Sequence, residues 1–274
     1  IIGGLLKKAV ISDYISINFV DRVFDAPNSY TAFENLMASY GYAIQIYCDF
    51  SGYSDMAIGL AMLMGFWLPP NFRTPYKSAS VTEFWRRWHI SLSTWFRDYL
   101  YIPLGGNRVS EFRKYLNQFI VFMVSGLWHG ANWTFVIWGS LHGFYLIVAI
   151  FRNKYLPSLK LPQNLWGKTL NVFSTFFLVM LAWVFFRAKN IHDATVILHK
   201  ISFTSLTDTL QSPLNQAELV FCFMLIGLLM LKDWKFFYVD TSSNKKFWLL
   251  TCGLAFLTYF LGVFETNQFI YFQF

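Results

Sequence analysis

The chain has 274 residues, 55% hydrophobic, 21% aromatic and only 14% charged, with a mean hydropathy of +0.40. A soluble domain carries about 25% charged and about 45–50% apolar residues. This composition therefore excludes a disordered chain, a disulfide scaffold and an ordinary cytosolic enzyme, and it points to a polytopic membrane protein. The net charge is +7, from 22 basic and 15 acidic residues.

In chain order, residues 1–25 mix apolar residues with Lys7, Lys8, Asp13, Asp21 and Arg22, the pattern of an interfacial segment or the frayed end of a helix. Residues 30–48 are apolar and aromatic enough for a span. Asp49 to Asp55 interrupts this run, and Met56 to Leu68 is too short for the roughly 20 residues that cross the hydrocarbon. The expectation is a broken or re-entrant helix stopped by Pro69-Pro70. Asp49 and Asp55 beside such a break must face protein or water. They serve as a tunnel wall or substrate clamp, or, more simply, as ion-pair partners of arginines in 73–97 that brace the segment.

Residues 80–102 read as one amphipathic helix opened by a capping box at Ser80 and Glu83. Phe84, Trp85, Trp88, Leu92, Trp95, Phe96, Tyr99 and Leu100 fall in one arc of about 160°. Arg86 and Arg97 lie about 20° apart on the opposite face, so they can address one anionic partner together. Such a helix lies in the membrane interface and ends at Pro103 and Gly105-Gly106. Eight basic and three acidic residues between Arg73 and Lys114 hold +5 of the net charge. That excess predicts a cytoplasmic location and suits anionic lipid or an anionic substrate.

Residues 115–151 form an apolar stretch with a polar centre, Ser125 to Trp133, enough for two spans or for one span and a buried broken helix. Further apolar runs occupy 170–186, 218–231 and 247–264. The expected architecture is all-α: a polytopic integral membrane protein with six or seven embedded helices, some re-entrant or interfacial, as a single domain over 1–274. The first residue is Ile1 rather than Met, so the N-terminal part of the natural protein is expected to be missing.

Among five histidines, His129 lies deepest in an apolar stretch, where Ser125 and Asn132 would share its helical face at i−4 and i+3. A titratable group there is a candidate general base, and burial among tryptophans would keep it neutral. The alternative is a histidine satisfied by Ser125 or Asn132 that joins two helices. His89 falls within the aromatic arc, His142 on the opposite side of the helix from His129, and His192 and His199 in a charged loop. Cys48, Cys222 and Cys252 are scattered and the histidines are far apart, so no metal site is expected. Phosphate-loop, nucleophile-elbow and dinucleotide motifs are absent.

Four segments carry a resemblance: Gln45 to Asp55, Phe84 to Ser93 with Arg86-Arg87-Trp88-His89 inside it, Tyr101 to Arg108, and Ser125 to Gly130 with Trp128-His129-Gly130. Together they resemble the membrane-bound O-acyltransferase family, most of all its alginate-acetylating branch, with the teichoic-acid D-alanylating branch a close second. The ending Phe269–Phe274 is similar to the C-terminus of the alginate-type branch. The resemblance implies helices around a tunnel, an essential histidine at His129 and a second functional histidine at His89. It implies an acyl thioester donor, acyl-CoA or an acyl carrier protein, on the cytoplasmic side, and no bound cofactor. It also implies a periplasmic SGNH-type partner that receives the acyl group for an exopolysaccharide, in the bacterial inner membrane, with lipid and no nucleic acid as surroundings. Asn132 and Ser125 would support His129, Asn132 as an oxyanion donor or orienter. Arg86 and Arg97 would meet the donor. A transporter or flippase for a lipid-linked sugar and a structural scaffold are the competing classes; neither needs the two histidine motifs together.

Overall fold

The computed structural model describes residues 1–157, 162, 164–203, 216–235 and 243–264. The segment Phe269–Phe274 lies outside the described residues. Among those described the regular structure is entirely helical, in two compact units.

The first unit comprises Ile1–Pro70 and the described residues from His199 onward. Its N-terminal run is helical throughout, with α1 (Ile2–Leu6), α2 (Asp13–Ile15) and α3 (Asp21–Asp25) joined by π-helical turns at Lys7–Ser12 and Ser16–Val20. It is not frayed: Val10, Val20, Val23 and Phe24 are fully buried. α4 (Ala32–Leu63) opens with a capping box in which Glu34 N–H donates to Thr31 Oγ1 (3.2 Å) and Thr31 N–H donates to Glu34 Oε2 (2.8 Å).

The expected break at 49–55 is absent, because α4 runs unbroken for 32 residues. The polar residues that suggested a break are satisfied sideways by the N-terminal run. Lys8 Nζ pairs with Asp49 (2.5 Å) and Asp13 (2.7 Å), and Lys7 Nζ with Asp55 (2.8 Å) and Ser51 Oγ (3.3 Å). Glycines let the two backbones touch: a Cβ on Gly52 would lie 2.6 Å from the Gly4 carbonyl oxygen. Burying a carboxylate is tolerable when a lysine is brought to it, and the helix continues. It ends at Leu63, and Gly65 just beyond takes a left-handed conformation (φ 81°) before Pro69-Pro70. α11 (Gln216–Lys235) and α12 (Asn244–Leu261) complete this unit, and Val263 N–H donates to the Ala9 carbonyl (2.9 Å).

The second unit is Asn71–Leu198. The single amphipathic helix expected over 80–102 is two short ones, α5 (Val81–Arg87) and α6 (Ile90–Phe96), followed by a π-helical turn at Arg97–Tyr101. Ser80 caps α5 through Glu83 N–H (3.1 Å), while Glu83 reaches Ala79 N–H (2.8 Å). Gly105 (φ 105°) and Gly106 (φ 51°) close the element.

α7 (Glu111–His129) and α8 (Trp133–Tyr155) form a tight antiparallel hairpin. Small residues permit it: a Cβ on Gly126 would sit 2.2 Å from the Phe135 carbonyl, and one on Gly139 2.2 Å from that of Phe122. Close backbone approach at small residues is how helices associate where water supplies no driving force. α9 (Leu165–Arg187) packs on α8, and α10 (Ile191–Ser202) follows, its last residues from His199 belonging to the first unit. His192 and His199 lie on this helix, not in a loop, though both are exposed.

Among the described residues, α8 and α9 are the two helices long and apolar enough to cross a membrane, by length and composition. Their outward faces are apolar, with Phe144, Phe151, Trp166 and Phe173 exposed, a surface suited to lipid rather than water.

Candidate active site

His129 is the last residue of α7 and is buried, 8% exposed. Its position follows from the turn after it. A Cβ at Gly130 would strike the Phe135 ring at 2.7 Å, so only glycine lets the chain leave the helix tight against α8. The imidazole is boxed by aromatic rings from three helices. Trp128, Trp138 and Phe186 meet it edge-on at 5.0, 5.1 and 5.0 Å between centroids.

Ser125 is buried one turn before His129 on the same helix. Asn132 is not on it. The helix ends at His129, and Asn132 is instead the N-cap of α8: its Oδ1 accepts from Thr134 N–H (3.1 Å) and its Nδ2 donates to the Lys189 carbonyl (3.2 Å). The i+3 relation to His129 therefore fails, because it presumed a helix continuing through Gly130.

His89 occupies the break between α5 and α6, with left-handed dihedrals (φ 42°, ψ 57°). A non-glycine residue in this region is strained by the order of 1–2 kcal/mol. Surrounding bonds hold it there. Ile90 N–H donates to the Asn71 carbonyl (3.0 Å) and Arg73 N–H to the Arg87 carbonyl (2.9 Å). Asn71 Oδ1 lies 3.3 Å from His89 Nδ1 and accepts from Ser91 N–H (3.2 Å) and Ser91 Oγ (3.0 Å). A backbone N–H can only donate, so the Asn71 atom facing it is the oxygen. Ser91 Oγ lies at the same distance from Nδ1 (3.3 Å); the tautomer in which His89 Nδ1 donates to Asn71 carries the ring proton there and leaves Nε2 as the ring's acceptor. Burial pushes the His89 imidazole down to about 4, so it is neutral at pH 7. His89 and His129 lie near enough for a charge on one to act on the other.

A cavity of about 300 Å³, its walls mostly apolar, reaches Ser125, one turn before His129. Arg86, Arg97, Ser93 and Tyr101 line it together with Trp85, Phe122 and Ser125. The break at His89 invalidates the single-helix arc that placed Arg86 and Arg97 together, yet both exposed guanidinium groups line this one cavity. Arg97 is also bound by its neighbour Asp98 (2.7 Å). Asp49 and Asp55 belong to the first unit, where they pair with Lys8 and Lys7; the expected pairing with arginines of 73–97 is replaced by lysines that precede them.

Sequence reasoning missed Asn71, which acts through tertiary contact from a loop with no periodicity. It also missed the partner of His142. That side chain is fully buried, and its Nδ1 accepts from Trp85 Nε1 (3.3 Å). Among the described residues, no three histidine, cysteine or carboxylate side chains are grouped to hold a metal ion.

Residues 10–152, more than half of the chain, match the model of the membrane-bound O-acyltransferase family. The chain belongs to that family. Family membership makes it a membrane protein and accounts for the lipid-suited faces of α8 and α9. Among family members it is similar to the peptidoglycan O-acetyltransferase of Helicobacter pylori, 38% identical over 99% of this chain and 55% of that protein. It is 48% identical to the probable alginate O-acetylase AlgI of Pseudomonas aeruginosa, over 70% of this chain and 35% of that one. The teichoic acid D-alanyltransferase of Bacillus subtilis is more distant, 32% identical over 69% and 50%. The chain thus spans about half, or less, of the length of the curated relatives it matches.

Proposed function

We propose that the protein is a multi-pass O-acyltransferase of the bacterial inner membrane, moving an acyl group, acetyl in the first instance, from a cytoplasmic thioester to a hydroxyl for envelope polysaccharide. One observation carries this reading. The two motif histidines, 40 positions apart in sequence, lie near enough to influence each other's charge, and Ser125, one turn from His129, lines a cavity that also offers the exposed guanidinium groups of Arg86 and Arg97. An apolar slot with cations at its mouth suits a flexible thioester arm that carries phosphates.

In the step, a neutral His129 accepts the proton of the acceptor hydroxyl as its oxygen attacks the thioester carbonyl carbon. A C–O bond forms, the carbonyl oxygen takes up charge, and collapse breaks the C–S bond. The proton held by His129 passes to the departing thiolate. His89, its proton fixed on Nδ1 by Asn71, presents Nε2 as an acceptor that orients a hydroxyl or shares the relay.

The names of the relatives support acetyl over D-alanyl; in this reading a periplasmic SGNH-type partner receives the group, and an acyl carrier protein is the donor partner in the D-alanyl case. The test is mild alkaline release of ester-linked acids from envelope polysaccharide of cells with and without the full-length gene. Acetate that vanishes on deletion and returns on complementation supports the reading. Released D-alanine would replace the donor and acceptor named here, and an unchanged ester content would overturn the function.

A further inference from the structure

The reaction needs a donor for the developing oxyanion, and the side chain that sequence spacing suggested is committed elsewhere, since both ends of the Asn132 amide are bonded within the turn and to Lys189. Three other donors sit in the aromatic cluster behind His129. Trp138 Nε1, Trp183 Nε1 and His142 Nε2 are buried without a hydrogen-bond partner. Their residues are 1%, 1% and 0% exposed. His142 accepts on Nδ1 from Trp85, so in the neutral ring Nε2 carries the hydrogen. None of these three N–H groups has a hydrogen-bond acceptor among the described residues. A buried donor left unsatisfied costs about 1–3 kcal/mol, and Phe or Leu at the two tryptophan positions would avoid it.

Of the three, Trp138 alone has its ring against both His129 (5.1 Å, 88°) and the wall of the cavity, through Trp85 (5.8 Å, 71°). Trp183 stacks on Trp138 (5.6 Å, 22°), and His142 meets it edge-on (5.1 Å). We propose that Trp138 is a further catalytic residue, whose indole N–H binds the thioester carbonyl oxygen and stabilises the negative charge it gains when the hydroxyl attacks. This rests on the acyl-transfer reading and deepens it. A fixed donor in a dry aromatic box is strong where charge develops and costs no reorganisation during the reaction. The orphaned N–H is then a stability cost retained for a substrate oxygen, a trade-off common at active sites. Trp183, which stacks behind Trp138, supports the ring's orientation by packing.

The test replaces Trp138 in the full-length protein by 3-benzothienylalanine, which keeps the ring's shape and lacks the N–H, with Trp138→Phe, Trp183→Phe and His129→Gln in parallel. The readouts are the rate at which ester-linked acyl groups accumulate on envelope polysaccharide after induction, and the melting temperature of each purified protein. Loss of one oxyanion donor lowers a rate by about 10²–10³-fold. The benzothienyl protein should lose that much at an unchanged or higher melting temperature, Trp138→Phe should lose as much, and Trp183→Phe should stay near wild type. A benzothienyl protein that acylates at the wild-type rate while His129→Gln does not would overturn the Trp138 assignment alone. If His129→Gln acylates like wild type, the underlying acyl-transfer chemistry fails. Equal loss in Trp138→Phe and Trp183→Phe with a wild-type benzothienyl protein would assign the cluster to packing.

Discussion

His89 shows how a single residue can be placed by contacts that leave no trace in local sequence. Its motif was legible and its position on a helix was not, because the left-handed break depends on Asn71, 18 residues away. Asn71→Leu removes the acceptor that fixes the tautomer. A hydrogen bond of about 1–1.5 kcal/mol corresponds to roughly tenfold in rate; acylation should fall by that order with the protein still inserted, and an undiminished rate would relieve Asn71 of this role. The pH dependence has a definite sign. His89 is neutral above about pH 4, so it should contribute no inflection to the pH–rate profile between 5 and 8. Asn71→Asp sets a carboxylate beside Nδ1–H, favours the imidazolium and should bring an inflection into that window. The failure of Asn132 is of the same kind: the spacing was read correctly, but Gly130 ends the helix first.

Among the elements, α4 is the clearest case of tertiary contact overriding a local signal. Seven residues, Asp49 to Asp55, read as a break when taken alone, yet they are the face on which Lys7 and Lys8 dock. Removing one partner of a buried ion pair costs about 3–5 kcal/mol. Lys8→Met should therefore sharply lower the melting temperature, and Lys8→Met combined with Asp13→Asn and Asp49→Leu should recover most of the loss; equal melting temperatures for Lys8→Met and wild type would deny the pair its structural part. The α7–α8 hairpin rests on close approach rather than charge. Gly139→Val places atoms where the Phe122 carbonyl lies, and overpacking costs about 1–3 kcal/mol or more. It should lower the melting temperature further than Gly253→Val, at a glycine with open space around it. The positions of the apolar runs over α7, α8, α9, α11 and α12 were legible because length and hydropathy suffice for them.

For the molecule as a whole, composition placed the chain in a membrane before any motif was considered, and the family match agrees. Orientation follows from charge: the Lys/Arg excess over 73–114 should face the cytoplasm. A cysteine at Ser110, with the native cysteines replaced, should react with an impermeant thiol reagent only after the inner membrane is opened. Labelling in intact spheroplasts would reverse the topology. The cavity and His129 lie in the second unit, whose residues carry most of the motifs, which is why the candidate site was more legible than the helix breaks.

The central claim is that His129 is the base, and His129→Gln in the full-length protein measures it directly. Glutamine keeps a similar size and a hydrogen-bonding end and cannot take up the proton. Loss of general-base catalysis lowers a rate by about 10²–10⁴-fold. The measurement is the ester-linked acyl content of envelope polysaccharide per amount of folded protein in the membrane. The account predicts a normally inserted protein with wild-type melting behaviour and polysaccharide left almost unacylated. A well-folded His129→Gln protein that acylates at the wild-type rate would contradict it.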